Sequence, residues 1–221
     1  MTLARLASNK IPHYEVRMSI LPPAGDLHLL HNRSYETRIY TDGTDMIARA
    51  ALRDLLPPNS MIPDDPEPLT MHHMIIELRV AVPTLEIIEV NLDFEEFPNH
   101  DCPSIVQAYD QLIGLSIARG FTHKIRELFG GPRGCTHVVA LLQAVAPAVV
   151  QATWGMARAT GAEAAASDSE SQLRNLNTCH IYAEDGEKIQ MIRRGERTDP
   201  PLSVTRRLVE LGRDPEDFYG S

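Results

Sequence analysis

The residues best suited to chemistry lie in Gly130-Gly131-Pro132-Arg133-Gly134-Cys135-Thr136-His137, a glycine-rich turn that runs into a long apolar stretch. A turn feeding a helix start presents free backbone N–H groups, and these attract anions and favour a thiolate over a thiol. Cys135 therefore reads in two ways. It is a thiol of lowered pKa, or a small hydrophobe closing a tight corner, as buried free cysteines commonly are. Thr136 reads as the N-cap of the following helix. His72, in Met71-His72-His73-Met74, falls on the apolar parity of its segment. An inward imidazole there is either a satisfied core residue or, near an acid, a proton carrier tuned around neutrality. His73 falls on the opposite, wetter parity. Pro98-Asn99-His100-Asp101-Cys102 joins a strand end to a helix start. Asp101 is expected to cap that helix, with His100 and Cys102 available to line a pocket. Cys102, Cys135, Cys179, His72 and His137 include the atom types that zinc prefers. No CxxC or HxxxH pair accompanies them, so no metal is expected. Serine-hydrolase, phosphate-loop and dinucleotide-binding glycine motifs are absent as well, and no cofactor is expected.

The elements that must position these side chains are legible from periodicity. Tyr35 to Thr41 is rich in β-branched and aromatic residues, Asp42-Gly43 is a hairpin turn, and Met46, Ala48, Ala50 and Leu52 then alternate with Arg49 and Arg53. Residues 57–68 carry five prolines and several acids, a loop long enough for a flap. In the second hairpin His72, Met74, Ile76, Leu78, Val80 and Val82 share one face, Pro83-Thr84 turns, and Ile88, Val90, Leu92 and Phe94 face inward. The period then becomes helical through Ile105, Val106, Tyr109, Leu112 and Ile113. A short helix from Gly120-Phe121 ends at Gly130, and a long one, kinked at Pro147, follows His137. Residues 138–159 approach membrane-span length, but Gln143, Pro147, Gln151, Thr153 and Arg158 interrupt them, and they read as a buried core helix. A last hairpin is expected from Thr178–Ala183 and Lys188–Arg193 through Asp185-Gly186, and a short helix over Ser203–Leu211. Residues 1–32 read as an irregular arm with one strand near Glu15 to Ile20, and residues 33–221 as a single domain. Strands first and helices after predict an α+β fold: an antiparallel sheet of hairpins packed against a helical layer.

Composition narrows the function. The 221 residues carry a net charge of −9 with 43% apolar and 23% charged residues. An acidic chain of that balance is no nucleic-acid binder, and its surface offers nothing to a membrane. Three scattered cysteines form no disulfide framework and fit a reducing, cytoplasmic setting. The first residues hold no apolar segment of a signal peptide. The far part of the long helix, with Trp154 and Met156, offers a homodimer face.

These motifs together resemble a bacterial family, the DUF2889 family. The matching features are Arg38 and Asp54, Met71-His72-His73-Met74, and Pro98 with Cys102. Leu112-Ile113-Gly114, Gly120-Phe121, Gly130-Gly131 with Gly134-Cys135-Thr136-His137, and Thr178-Cys179-His180 follow, so the resemblance runs from about residue 33 to 194. His73 stands where the family usually has an acid. The resemblance implies a common α+β fold, and relatives of this kind occur among bacterial genes for breaking down aromatic or steroidal compounds. Site and resemblance together suggest a cofactor-independent lyase acting on a small molecule, such as a phenolic lignin-derived dimer that loses formaldehyde in a retro-aldol-type step. His72 or His137 would act as base, with Cys135 beside them. Arg38 would hold a phenolate or carboxylate, and Tyr40, His73, Cys102 and Thr136 would line the substrate pocket. A thiol- or zinc-dependent hydrolase and a non-enzymatic binder of a hydrophobic metabolite are the alternatives.

Overall fold

Alternating apolar and polar side chains build a meander of four antiparallel strands in the order β1-β2-β3-β4. They are β1 (Asn32–Thr41), β2 (Met46–Leu56), β3 (Leu69–Ala81) and β4 (Glu86–Glu96). The computed structural model describes residues 20–118, 120–159, 173 and 175–215. The chain divides into two compact units, Met1–Thr153 and Trp154–Ser221, and the sheet belongs to the first.

One face of the sheet is core. Met46, Ala48, Ala50 and Leu52 of β2 and Met74, Ile76, Leu78 and Val80 of β3 are all buried. Each large side chain among them contributes roughly 1.5–3 kcal/mol by leaving water. The β1–β2 turn forms as expected, because the Asp42 carboxylate accepts hydrogen bonds from the N–H groups of Thr44 and Asp45, both at 3.0 Å. Residues 57–68 join β2 to β3 as the expected loop.

Three bulges interrupt the ladders, beside Asp54, His73 and Arg79. A bulge places two residues opposite one and re-aims the side chains beyond it. At the last of them Val80 pairs with Ile87 while Arg79 pairs with Glu89. Ile87 is consequently buried and Ile88 turns outward, which corrects the expected inward alternation of β4 at that end.

After the sheet comes Cys102–Leu112, a 3-10 helix with Pro103 in its first turn. Its Asp101 takes the cap position but makes no side-chain cap bond. Helix α1 (Phe121–Phe129) buries Phe121, Ile125 and Phe129 at four-residue steps. Helix α2 (Thr136–Ala159) contains Pro147. Its stretch Thr136–Thr153 is long and apolar enough to cross a membrane by length and composition. Val138, Leu141, Leu142, Val145 and Val149 are buried at three- and four-residue steps, the stripe of a packed helix.

In the second unit the expected hairpin is absent. A 3-10 turn (His180–Tyr182), α3 (Glu187–Arg193) and α4 (Leu202–Glu210) stand there instead. Gly186 occupies the cap position of α3, and Ile189 and Ile192 are buried three residues apart, a helical step, since residues three apart on a strand point to opposite faces. The expected strand near Glu15 lies, apart from Ile20, outside the described residues. An antiparallel sheet followed by helices makes this an α+β protein, as the order of patterns predicts.

Candidate active site

The same parity that buries Met46, Ala48, Ala50 and Leu52 carries Asp54 onto the core face. Its side chain is 0% exposed, and it is the one buried charged residue among those described. Register does the rest. Arg33 pairs with Asp54 across β1–β2, and Asp54 pairs with His72 across β2–β3. Three neighbouring strands therefore present Arg33, Asp54 and His72 in one row on one face.

A carboxylate taken out of water costs several kcal/mol unless it is fully partnered. Arg33 grips it bidentately, Nε to Oδ1 and Nη2 to Oδ2, both at 2.6 Å. This fork geometry is the strongest neutralising contact a guanidinium can offer. His31 Nε2 lies 3.2 Å from Oδ1 and His72 Nδ1 lies 3.0 Å from Oδ2. His137, from the first turn of α2, brings Nε2 to 3.5 Å from the same Oδ2. The His72 and His137 rings overlap with centroids 3.9 Å apart. Burial pushes the Asp54 carboxyl up, but the hydrogen bonds and charges of Arg33 and His31 outweigh it and bring it down to about 2. His137 is held below the ordinary histidine value, first by burial and then by the neighbouring charges of His72 and Arg33. Both effects disfavour the imidazolium form of this ring.

The turn that delivers His137 is held from below. Tyr109, fully buried and stacked on Phe129 with centroids 4.5 Å apart, accepts the Cys135 N–H at 2.8 Å and donates to the Cys135 carbonyl at 3.3 Å. Burial pushes its phenol up to about 12, so it stays a hydroxyl. Gly134 is required by contact: a Cβ there would stand 2.6 Å from the Phe129 carbonyl oxygen. Cys135 Sγ lies 3.7 Å from His137 Nδ1.

His72, His137 and Cys135 thus come together as expected, and five other assignments change. Arg38 stands five residues from Arg33 along β1, about 17 Å at strand spacing and on the opposite face. It is 66% exposed and pairs with Glu36. Tyr40 shares that outer face, with the Arg49 guanidinium 5.6 Å from its ring. His73 also points to the outer face, on Glu95 at 2.9 Å. Cys102 opens the 3-10 helix, half-buried, and is not among the side chains converging on Asp54. Thr136 is the exposed first residue of α2. Cys135 is the cap, since its carbonyl accepts the Val139 N–H at 3.0 Å. Sequence reasoning leaves Asp54, Arg33 and His31 out of the site. The alternation of β2 points to Asp54, whereas Arg33 and His31 sit in polar sequence that carries no pattern.

Asp54, His72 and His137 each offer a ligand atom within 4.8 Å of the others, so these three are the described residues able to hold a metal ion. A buried, Arg-neutralised carboxylate approached by two closely set, tilted imidazoles is an arrangement of groups that can move a proton or hold a metal ion. The family model described as "Protein of unknown function (DUF2889)" matches residues 31–151. That is more than half of the chain, and the chain belongs to this family. The matched segment contains the whole cluster from His31 to His137 and stops short of Thr178-Cys179-His180. Neither the curated proteins nor the solved structures give a match.

Proposed function

We propose that the protein is a small-molecule enzyme, a C–C lyase that takes a proton at the Asp54–His72–His137 cluster. The observation that carries this reading is the convergence of two imidazoles, at 3.0 and 3.5 Å, on one oxygen of a buried ionised carboxylate. Such a carboxylate fixes ring orientation and stabilises the imidazolium that forms on proton uptake. His72 and His137 remain 19% and 14% exposed, so neither ring is sealed from solvent.

The surroundings suggest the substrate class. Leu29 and Leu30 directly precede His31, and Met61 and Ile62 ride on the loop joining the site ends of β2 and β3. All four are exposed. Exposed apolar side chains on both segments that flank the cluster in sequence suit an aromatic substrate, such as a phenolic dimer bearing a hydroxymethyl group. In the reaction the cluster removes the hydroxymethyl O–H proton. The C–O bond becomes a carbonyl, the adjacent C–C bond breaks as formaldehyde leaves, and its electron pair, at the benzylic carbon, takes back the proton held by the cluster to form a C–H bond. The free thiols of Cys102, Cys135 and Cys179 suit a reducing compartment.

The test is a screen of hydroxymethyl-bearing phenolic dimers for released formaldehyde, followed by His72→Ala on any dimer turned over. Formaldehyde release that is lost in the variant supports the lyase. A variant that keeps the wild-type rate rejects it. The Cys135–His137 contact at 3.7 Å favours a second reading, a thiol-dependent hydrolase. Cys135→Ala separates the two, because only the hydrolase needs that sulfur.

A further inference from the structure

We propose that Asp54, His72 and His137 bind one divalent transition-metal ion, through Oδ2, Nδ1 and Nε2 respectively. The inference deepens the reading of this cluster as the reaction centre, and it rests on that reading only for what the ion does there.

Two observations carry it. The first is spacing. Oδ2 stands 3.0 Å from His72 Nδ1 and 3.5 Å from His137 Nε2, and all three ligand atoms lie within 4.8 Å of one another. An ion with tetrahedral bonds of about 2.0–2.1 Å holds its ligand atoms about 3.3–3.4 Å apart, and the two spacings to Oδ2 bracket that value. The second is crowding. Arg33 Nε and Nη2, His31 Nε2, His72 Nδ1 and His137 Nε2 all approach one carboxylate. Arg33, His31 and His72 already fill the roughly four lone-pair sites of the carboxylate, and His137 Nε2, aimed at the same Oδ2 from 3.5 Å, makes no hydrogen bond to it. With an ion between Oδ2 and the two rings, both imidazoles turn their lone pairs to the metal and His137 gains a partner. Arg33 and His31 then become the outer partners that a ligating carboxylate ordinarily has.

Two histidines and one carboxylate are the ligand set of open catalytic sites for zinc and ferrous iron. Only three protein ligands are supplied, so a position stays free for water or for a substrate oxygen. At that position an ion lowers the pKa of bound water, so that metal-bound hydroxide, in place of an imidazole, is the proton acceptor of the centre, and the ion polarises an oxygen of the substrate.

The experiment strips the full-length protein with a chelator and titrates it with zinc and, separately, with cobalt, following zinc by calorimetry and cobalt by its visible absorption. The expected result is one ion per chain, with cobalt bands of a four- or five-coordinate site. His72→Ala and His137→Ala should each weaken binding at least a hundredfold while circular dichroism reports an intact fold. His72→Gln serves as a milder variant should His72→Ala unfold. The proposal is overturned if zinc binds no more tightly than millimolar, or if both histidine variants bind it like wild type. Stripped protein that binds no ion yet still releases formaldehyde sinks the metal and leaves the lyase. Stoichiometric binding lost in both variants, without turnover of any phenolic dimer, sinks the lyase and leaves the metal.

Discussion

Asp54 and His72 face each other across the β2–β3 ladder, and their side chains meet at 3.0 Å on the core side of the sheet. A bulge comes immediately after, because Leu55 pairs with Thr70 and Met71 is left over. A second bulge sits beside His73. The histidine pair is thus set between two irregularities that fix its direction, as bulges near functional sites do. The consequence is a row of polar side chains, Arg33–Asp54–His72, at the end of an otherwise apolar layer.

Removing the acid leaves Arg33 without its counter-charge and His31 and His72 without their carboxylate acceptor. Asp54→Ala should destabilise the fold by about 3 kcal/mol, near the low end for a broken buried pair because Arg33 is 35% exposed. Urea unfolding measures it, and a change below about 1 kcal/mol would mean that the carboxylate is not a structural anchor.

Arg33 and Arg38 separate the two faces. Arg33→Ala should lower both stability and turnover, whereas Arg38→Ala, exposed and paired only locally with Glu36 and Tyr40, should leave turnover within about twofold, as expected of surface substitutions. Steady-state rates of the two variants decide it. The opposite order would return the anion-holding role to Arg38.

Tyr109 links pH to the turn beneath His137. Its phenol is raised from 10.0 to about 12 by burial. A raised folded pKa means that this contribution is complete below pH about 10 and is lost as pH climbs from there through about 12. Tyr109→Phe should flatten that alkaline loss of stability. It should also cost about 1–3 kcal/mol at neutral pH, since the Cys135 N–H loses its acceptor. Denaturation midpoints of both proteins across that pH range give the comparison.

Gly134→Ala tests the close approach of the turn to α1. The new Cβ would meet the Phe129 carbonyl oxygen at 2.6 Å and its Cβ at 2.7 Å, neither of which can rotate away. A loss of roughly 1–3 kcal/mol is expected from such overpacking, read as a lowered melting temperature. An unchanged melting temperature would show that the turn has room to move.

The sheet is legible in the chain because period-two alternation and the Asp42-Gly43 turn are local signals. His72 emerges from the same alternation. Asp54 lies on the same parity as Leu52 and is reached by extending the pattern two residues. Arg33 is not, because its role is set by pairing across β1–β2, and register is a long-range property. The second unit departs from its expected hairpin where Ile189 and Ile192 sit three apart after a glycine. Seven residues are too few for helical and strand periods to part clearly. The 3-10 geometry of Cys102–Leu112 likewise carries no signature beyond Pro103.

Whether His72 and His137 act as one centre on Asp54 is decided by a double-mutant cycle on turnover, with His72→Ala, His137→Ala and the double variant assayed on one substrate. Residues acting as a unit lose their effect together. Each single variant should fall at least a hundredfold, and the double variant should be no slower than the slower single. Losses that multiply, or a single variant that keeps the wild-type rate, would contradict the shared centre.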